Sequence, residues 1–437
     1  MTQALVDSAR SSNDNAGPPI PYTAWYGLVV LTLINLLNYL DRMVVPPLGE
    51  SLMHSELQLT GEQFGLLASA FLVVYMVAAP LVGTVGDRRA RPPLLALGIA
   101  LWSIATALGG LAWSFGSLVA ARASVGIGEA VYGSIAPALL ADYFPERLRG
   151  RVFAIFFAAT PVGSALGYIV GGLMDHHYGW RAAFFVAGAP GIVLAALALW
   201  LAEPRRHARG APATAATAQD PGEGPLAGGI RTYAALLRNR LYLLTVLGYA
   251  AYTFAIGGIA VWMPTFLERV RHVPRAQASV QLGAVLVITG FVGTFIGGWL
   301  TDRLLERTRR AALWVSAVAT LLAVPCAYLA LAAPDRAVYW PALIVAEVLI
   351  FICTSPVNAA IVSEVPATVR AAAMALCIFT IHTLGDVPSP PIIGAIADAS
   401  SLEHGVMLIP VAVLVAGVIW LAAARLRVAT APERAPA

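Results

Sequence analysis

Lysine is absent from this chain of 437 residues, and all 28 basic residues are arginine. Lysine Schiff bases, lysine general bases and P-loop nucleotide binding are therefore excluded, since each requires that side chain. Charged residues make up only 12% of the sequence, whereas a typical soluble domain has about 25%. This scarcity of charge argues against a soluble enzyme and against a disordered chain.

Sequence signals of catalysis and of metal binding are also missing. The chain has no H-E-x-x-H pattern, no convincing G-x-S-x-G elbow and no cluster of cysteine with histidine. Its three cysteines, Cys326, Cys353 and Cys377, lie in different apolar runs, which predicts buried packing. We therefore predict no enzymatic activity, no catalytic residue, no metal and no cofactor.

The composition is instead strongly apolar, with 59% hydrophobic residues and a mean hydropathy of +0.75. About 20 apolar residues suffice to cross a bilayer. Twelve such runs are present, at residues 24–47, 63–85, 93–112, 117–141, 151–174, 181–201, 241–267, 279–301, 312–333, 338–362, 371–397 and 405–427. The sequence thus predicts an all-α polytopic protein of twelve transmembrane helices embedded in a lipid bilayer.

The arginines are distributed unevenly between the two sides of the predicted helices. Twenty-one fall on the side that carries both termini, five fall on the other side, and Arg42 and Arg122 lie within predicted spans. Because positive charge concentrates in cytoplasmic loops, we predict a multi-pass protein of the cell (inner) membrane with both termini cytoplasmic. This placement also explains the net charge of +4 without nucleic acid as a partner.

One long connection divides the chain into two halves. We predict a cytoplasmic tail (1–23), a six-helix bundle (24–201), a linker (202–240), a second six-helix bundle (241–427) and a second tail (428–437). The linker is rich in Ala, Pro, Gly and Arg, which is typical of a flexible segment. Its last residues, 230–240, fit either a short interfacial helix or a polar lead-in to the seventh span.

A G-x-x-x-D pattern recurs at the ends of the second, fifth, eighth and eleventh spans. The aspartates are Asp87, Asp175, Asp302 and Asp398. Four copies at one place in each group of three spans predict four three-helix units, nested as inverted repeats in two halves, which is typical of transporters.

The pattern has a physical interpretation. A glycine permits close backbone approach, and an aspartate one turn later can meet the N-terminus of a neighbouring helix or an arginine. We predict a conformational latch made of Gly83, Asp87, Arg88, Arg91, Asp302 and Arg303. Alternatively, each aspartate only caps its own loop, and for Asp175 and Asp398 the two interpretations are equally favoured.

Two motifs resemble those of the major facilitator superfamily. Residues 83–91, G-T-V-G-D-R-R-A-R, are similar to its loop signature, although Ala90 replaces the usual glycine, and residues 122–130, R-A-S-V-G-I-G-E-A, are similar to its fourth-helix motif. The resemblance extends over about residues 24–427. It implies two six-helix bundles in which the first helix of each three-helix unit lines a central cavity.

A narrower resemblance is to the spinster family. It rests on N-Y-L-D-R at 38–42, G-I-G-E-A at 126–130 and T-P-V-G-S-A-L-G-Y at 160–168. It implies transport of lysophospholipids or sphingosine phosphates, with proton coupling in some members. The N-Y-L-D-R segment also occurs in organic-anion symporters of the superfamily, so that alternative stays open.

Seven ionisable side chains lie inside the predicted spans, where they are costly and therefore candidates for function. They are Asp41, Arg42, Arg122, Glu129, Glu347, His382 and Asp386. Arg122 and Glu129 are seven residues apart and share one face of the fourth helix. Since the resemblance implies that the first and fourth helices line the cavity, we expect two acids and two arginines to meet there.

The candidate roles follow from this charge pattern. We predict proton coupling by Asp41 and Glu129, whose protonation would release an arginine to bind an anionic head group. The predicted substrate-binding residues are Arg42, Arg122, Asn38, Tyr132, Glu347 and Asp386. The alternatives are a static salt-bridge network for the four charges and an internally satisfied kink for Asp386, while His382 is interpreted as a packed polar residue.

We therefore expect a secondary transporter, a monomer working by alternating access, with protons and an anionic amphiphile such as a lysophospholipid or sphingosine phosphate as partners. The alternative is a symporter of a small organic anion or a drug/proton antiporter.

Overall fold

The computed structural model describes residues 20–86, 90–203, 225–366 and 369–426. Within these ranges the chain is helical without strands, and twelve helices are long and apolar enough to span a membrane, which confirms the predicted fold class. They are α1 Tyr22–Val44, α2 Gly61–Gly86, α3 Arg91–Gly109, α4 Phe115–Tyr143, α5 Glu146–Tyr178, α6 Trp180–Ala198, α7 Arg240–Arg269, α8 Arg275–Leu305, α9 Ala311–Ala332, α10 Arg336–Ile352 with Thr354–Ser363, α11 Arg370–Ile381 with Ser389–Ala399, and α12 Leu402–Val406 with Leu408–Arg425.

Local sequence fixes several helix ends. Two prolines follow α1 and begin a 3-10 turn, Pro46–Leu48, because proline cannot donate to the helix ladder. Ser114 begins α4 with a capping box formed with Ser117. Asn239 accepts from the first backbone N–H groups of α7. These signals explain why the predicted spans and the observed helices agree closely.

Helix α11 contains the break that its prolines predict. A π-helical segment, His382–Asp386, ends where the backbone N–H of Val387 donates to the His382 carbonyl. Pro388 then precedes the second segment, which has another proline at its start. Because a proline cannot donate a backbone hydrogen bond, the α-helical hydrogen-bond pattern is interrupted here. The π-helical turn changes the direction in which the side chains of residues 382–386 point.

The two halves are α1–α6 and α7–α12. We call the side on which α1 begins and α12 ends the basic face, and the other side the opposite face. Helices α2 and α11 are in close contact at Gly65, where an added Cβ would lie only 2.4 Å from the Pro390 carbonyl. Helices α5 and α8 are in close contact at Gly172, where an added Cβ would lie 2.3 Å from Ser279. Both contacts lie toward the opposite face.

Hydrogen bonds and ion pairs join the halves in the same region. They are Gly61 and Glu62 to Asp398, Ser69 to Val387, Tyr168 to Ala260, Arg269 to Glu50, and Arg275 to Ser51 and Asp175. The described contacts between the halves therefore close the opposite face.

Two of the four repeated aspartates take part in this closure. Asp398 accepts from the backbone N–H groups of Gly61 (2.7 Å) and Glu62 (2.9 Å), at the N-terminus of α2. Asp175 pairs with Arg275 (2.7 Å), the first residue of α8. Each aspartate thus meets the start of a helix from the other half, as one of the two interpretations of the motif predicts.

The predicted latch residues of the basic face are arranged differently. Asp87 and Arg88 lie outside the described residues, and Gly83 lies near the end of α2. Arg91 pairs with Asp142 (2.7 Å) inside the first half. Asp302 and Arg303 are exposed at the end of α8, where the Arg303 guanidinium lies over the Trp299 ring. A latch at this face stays a prediction.

The end of the linker forms a helix, Pro225–Arg238. Tyr233 and Leu237 are exposed, whereas Leu236 is buried against the second half. An amphipathic helix therefore leads into α7, and the predicted flexible centre, residues 204–224, lies outside the described residues.

Candidate functional site

Two ion pairs connect α1 and α4. The Arg122 guanidinium donates to Asp41 Oδ1 (3.3 Å), and Arg42 Nε donates to Glu129 Oε2 (2.7 Å). The side chains of Asp41, Arg122 and Glu129 are at most 3% exposed, and that of Arg42 is 20% exposed. The structure thus brings together the four charges that the sequence singles out, and each helix contributes one acid and one arginine.

The hydrogen bonding of these pairs is incomplete. Asp41 also accepts from Thr106 Oγ1 of α3 (2.6 Å), a partner that the sequence did not reveal because a threonine in an apolar run has no distinguishing pattern. Glu129 Oε1 and Arg122 Nε are buried without a partner among the described residues. Such open positions are uncommon in native proteins and require an explanation.

Aromatic rings surround the guanidiniums. Arg42 lies over the rings of Tyr39 (5.3 Å), Phe71 (5.1 Å) and Tyr75 (5.0 Å), and Arg122 lies over Phe71 (5.4 Å). These distances are within the range of cation–π attraction. The rings of α2 were not among the sequence candidates, since a phenylalanine or tyrosine in a span usually indicates packing.

A cavity of about 210 Å³ lies between the halves at this point. The first half contributes Arg42 and Arg122 to its wall, and the second half contributes His382 and Asp386, while most of the remaining lining is apolar or aromatic. His382 Nδ1 lies 2.9 Å from Asp386 Oδ1. The cavity is therefore a mainly apolar space with two cations on one side and a histidine–carboxyl pair on the other.

From the sequence, His382 is interpreted as a packed polar residue, whereas in the structure its side chain lines the cavity. The π-helical turn accounts for this position, since it presents residues 382 and 386 together. The proline cluster was the only sequence signal of such a turn.

Three predicted substrate-binding residues do not line this cavity. Asn38 is buried beside the ion pairs, and Tyr132 donates to the Leu31 carbonyl (3.1 Å). Glu347 is buried in the second half and accepts from Thr289 Oγ1 (2.8 Å). The structure therefore separates Glu347 from the four-charge group.

Titratable groups outside the spans have local structural causes for their pKa shifts. A backbone N–H and the Arg181 guanidinium lower the pKa of Glu56, and burial raises the pKa of Glu364 at the end of α10. Neither group approaches the cavity. Within the described ranges, no group of three or more His, Cys, Asp or Glu side chains has a geometry that could hold a metal ion.

The chain matches one family model. The model is described as the Major Facilitator Superfamily and matches residues 31–385. A crystal structure of a bacterial homolog to the human lysosomal transporter Spinster, in an inward-facing and unoccupied conformation, aligns with a TM-score of 0.80 and 23% identity, over 93% of this chain and 98% of that chain. The similarity to this crystal structure shows that the two chains have the same fold.

Curated relatives are more similar in sequence. Protein spinster of Drosophila melanogaster is 33% identical over 419 residues, which cover 91% of this chain and 64% of the relative. Sphingosine-1-phosphate transporter SPNS2 of Mus musculus is 34% identical over 429 residues, covering 90% of this chain and 76% of the relative. An MFS-type efflux pump of Mycolicibacterium smegmatis is 32% identical over 435 residues, covering 97% of both chains.

Proposed function

This chain belongs to the major facilitator superfamily, with spinster proteins among its relatives, and on that premise we propose that it is a proton-coupled transporter of an anionic amphiphile. The observation that carries the proposal is the pair of crossed acid–arginine bridges at the cavity wall. The substrate class is a lysophospholipid or a sphingosine phosphate.

Proton coupling rests on the two carboxyl groups. Glu129 is buried, its only ion-pair partner among the described residues is Arg42, and Arg42 is itself exposed to the cavity. Protonating Glu129 removes the charge that holds this guanidinium, so Arg42 becomes available to an anionic substrate. Protonating Asp41 has the same consequence for Arg122. Proton binding and substrate binding therefore favour each other, which is the reciprocity that coupled transport requires.

The shape of the cavity supports an amphiphile. Its volume of about 210 Å³ is below the roughly 300–1,000 Å³ typical of pockets that enclose a drug-sized ligand. Such a space fits a head group whose apolar tail lies outside it. The guanidinium pair matches a phosphate, because arginine binds phosphate with a planar fork of donors. The similarity to a sphingosine-1-phosphate transporter supports the same class.

The closed opposite face supports a mechanism of alternating access. The contacts of Asp398 and Arg275 hold the halves together there, so the cavity is expected to open toward the basic face. By the positive-inside rule the basic face is cytoplasmic. We therefore infer an inward-facing state of a multi-pass protein of the inner membrane, with both termini in the cytoplasm.

A second candidate is a symporter of a small organic anion or a drug/proton antiporter. The similarity to an MFS-type efflux pump over 97% of both chains favours the antiporter. A thermal-shift screen of the purified protein with lysolipids, sphingoid phosphates, short organic acids and cationic drugs distinguishes the candidates. Stabilisation by short acids or drugs alone would reject the amphiphile.

Glu129→Gln tests the coupling. The amide cannot be protonated and leaves Arg42 permanently without its carboxylate, so uptake driven by a pH gradient in proteoliposomes is expected to disappear. Glu306→Gln, at an exposed glutamate of the basic face, serves as the matched control. A Glu129→Gln protein that melts like the wild type and keeps its pH-driven uptake would remove Glu129 from the mechanism.

A further inference from the structure

One aromatic side chain contacts both arginines of the cavity. The guanidinium carbons of Arg42 and Arg122 lie 5.1 and 5.4 Å from the centre of the Phe71 ring. Tyr39 and Tyr75, by contrast, are close only to Arg42. Phe71 is 4% exposed and lines the cavity. Among the described residues its ring is thus the one that lies close to both guanidiniums at the cavity wall.

The backbone fixes the position of this ring. Helix α4 has Gly126 between Arg122 and Glu129, and a Cβ at Gly126 would lie 2.7 Å from the Phe71 carbonyl and 3.0 Å from the Tyr75 backbone nitrogen. The α2 turn that carries both rings therefore rests directly on α4, midway between the two charges. Because glycine permits this approach, the α2 backbone that carries Phe71 lies closer to α4 than a side chain at position 126 would allow.

We propose that Phe71 is a positioning residue that holds the guanidiniums of Arg42 and Arg122 together as one anion-binding site. The inference rests on the proposed function and deepens it by identifying what sets the arrangement of the two cations. The probe ligand is an amphiphile with a phosphate head group.

The need for such a residue appears when the carboxyl groups are protonated. Arg42 then loses its 2.7 Å bond to Glu129, and its long side chain gains freedom to turn toward water. The faces of Phe71, Tyr39 and Tyr75 keep attracting the cation, because cation–π attraction does not depend on the carboxylate. Of these three rings only Phe71 lies close to both cations, so it preserves their mutual arrangement while the ion pairs open.

Phe71→Leu tests this inference by ligand binding to the purified protein in nanodiscs. The probes are lysophosphatidic acid and the uncharged monoacylglycerol with the same chain. Loss of two partly desolvated cation–π contacts is expected to weaken phosphate binding on the order of tenfold and to leave monoacylglycerol binding unchanged. Phe71→Tyr keeps the ring and is expected to stay within about twofold of the wild type.

Val73→Ala is the matched control, since Val73 lies on the same helix, is 42% exposed and is not among the residues that line the cavity. It is expected to leave phosphate binding within about twofold, because no cation–π contact is lost. An equal loss for both probes in Phe71→Leu, an equal loss of phosphate binding in Val73→Ala, or no loss in Phe71→Leu overturns the role of Phe71. Phe71→Met replaces the leucine variant if that protein fails to fold. A wild type that binds neither lysophosphatidic acid nor sphingosine-1-phosphate overturns the proposed function itself.

Discussion

At the scale of single residues, the two ion pairs are poorly suited to a purely structural role. Burying charges costs desolvation, and a buried pair stabilises a fold only when its remaining donors and acceptors are satisfied. Here Glu129 Oε1 and Arg122 Nε have no partner among the described residues. This arrangement favours a site that exchanges partners over the alternative of a static network between α1 and α4.

Thr106 provides a residue-scale test of how tightly the inner pair is held. Thr106→Val has a similar shape and removes the 2.6 Å donor to Asp41, so Asp41 keeps only Arg122. A hydrogen bond to a charged group contributes about 1.5–3 kcal/mol, and we expect a melting temperature several degrees below the wild type. Thr106→Ser keeps the hydroxyl as a control. Equal melting of the valine and serine variants would show that this bond contributes little.

The sequence predicted which charges meet but not how they pair. The spacing of Arg122 and Glu129 on one helix face was sufficient to place both beside α1. Pairing depends on the axial offset and rotation of α1 against α4, and neither quantity is encoded in the local pattern of either helix. The same limitation hid Phe71 and Thr106, because their significance comes from neighbours on other helices.

At the scale of helices, glycine sets the distance between the halves. Gly61, Gly65 and Gly394 bring the α2 and α11 backbones into contact, and Gly172 and Gly283 do the same for α5 and α8. The repeated G-x-x-x-D pattern located one of these positions, Gly394. The others lie outside that pattern, and the π-helical turn of α11 was predictable only as a disturbance caused by prolines.

Gly65→Ala tests the contact between α2 and α11. The new Cβ would lie 2.4 Å from the Pro390 carbonyl group, and backbone atoms cannot yield as a flexible side chain does. Helices α2 and α11 must then separate, so we expect the opposite face to open. Spin labels at Gly116 and Pro334, one in each half at that face, measure the change in a cysteine-free protein as a longer distance.

Gly150→Ala is the control for this substitution, because a Cβ there would have nothing within 4 Å. It is expected to leave the label distance unchanged. If both alanine variants give the wild-type distance, the α2–α11 contact does not determine the closed state.

At the scale of the whole molecule, the repeat places equivalent aspartates at both faces. Those of the opposite face, Asp175 and Asp398, are engaged with the other half. On the basic face, Asp302 is exposed, and no ion pair to it is found among the described residues. The four-unit pattern therefore supports a transporter in which one set of aspartates is engaged in each end state, although the contacts of the second set stay a prediction.

Arg275 links the halves through Asp175 and Ser51, and its removal is the whole-molecule test. Arg275→Ala removes the partner of Asp175, whose side chain is only 1% exposed. Removing one partner of a buried pair costs about 3 kcal/mol, which corresponds to roughly a hundredfold change in an equilibrium constant. Because this cost falls on the closed state, we expect the label distance between Gly116 and Pro334 to increase.

Arg91→Ala separates this effect from a general loss of stability. Arg91 forms a 2.7 Å pair with Asp142 inside the first half, so its removal is expected to lower the melting temperature without changing the distance between halves. Adding Asp175→Asn to Arg275→Ala removes the uncompensated charge and is expected to restore stability but not closure. If the arginine variants of both sites gave the same label distance, the contacts of Arg275 would have no part in holding the opposite face closed.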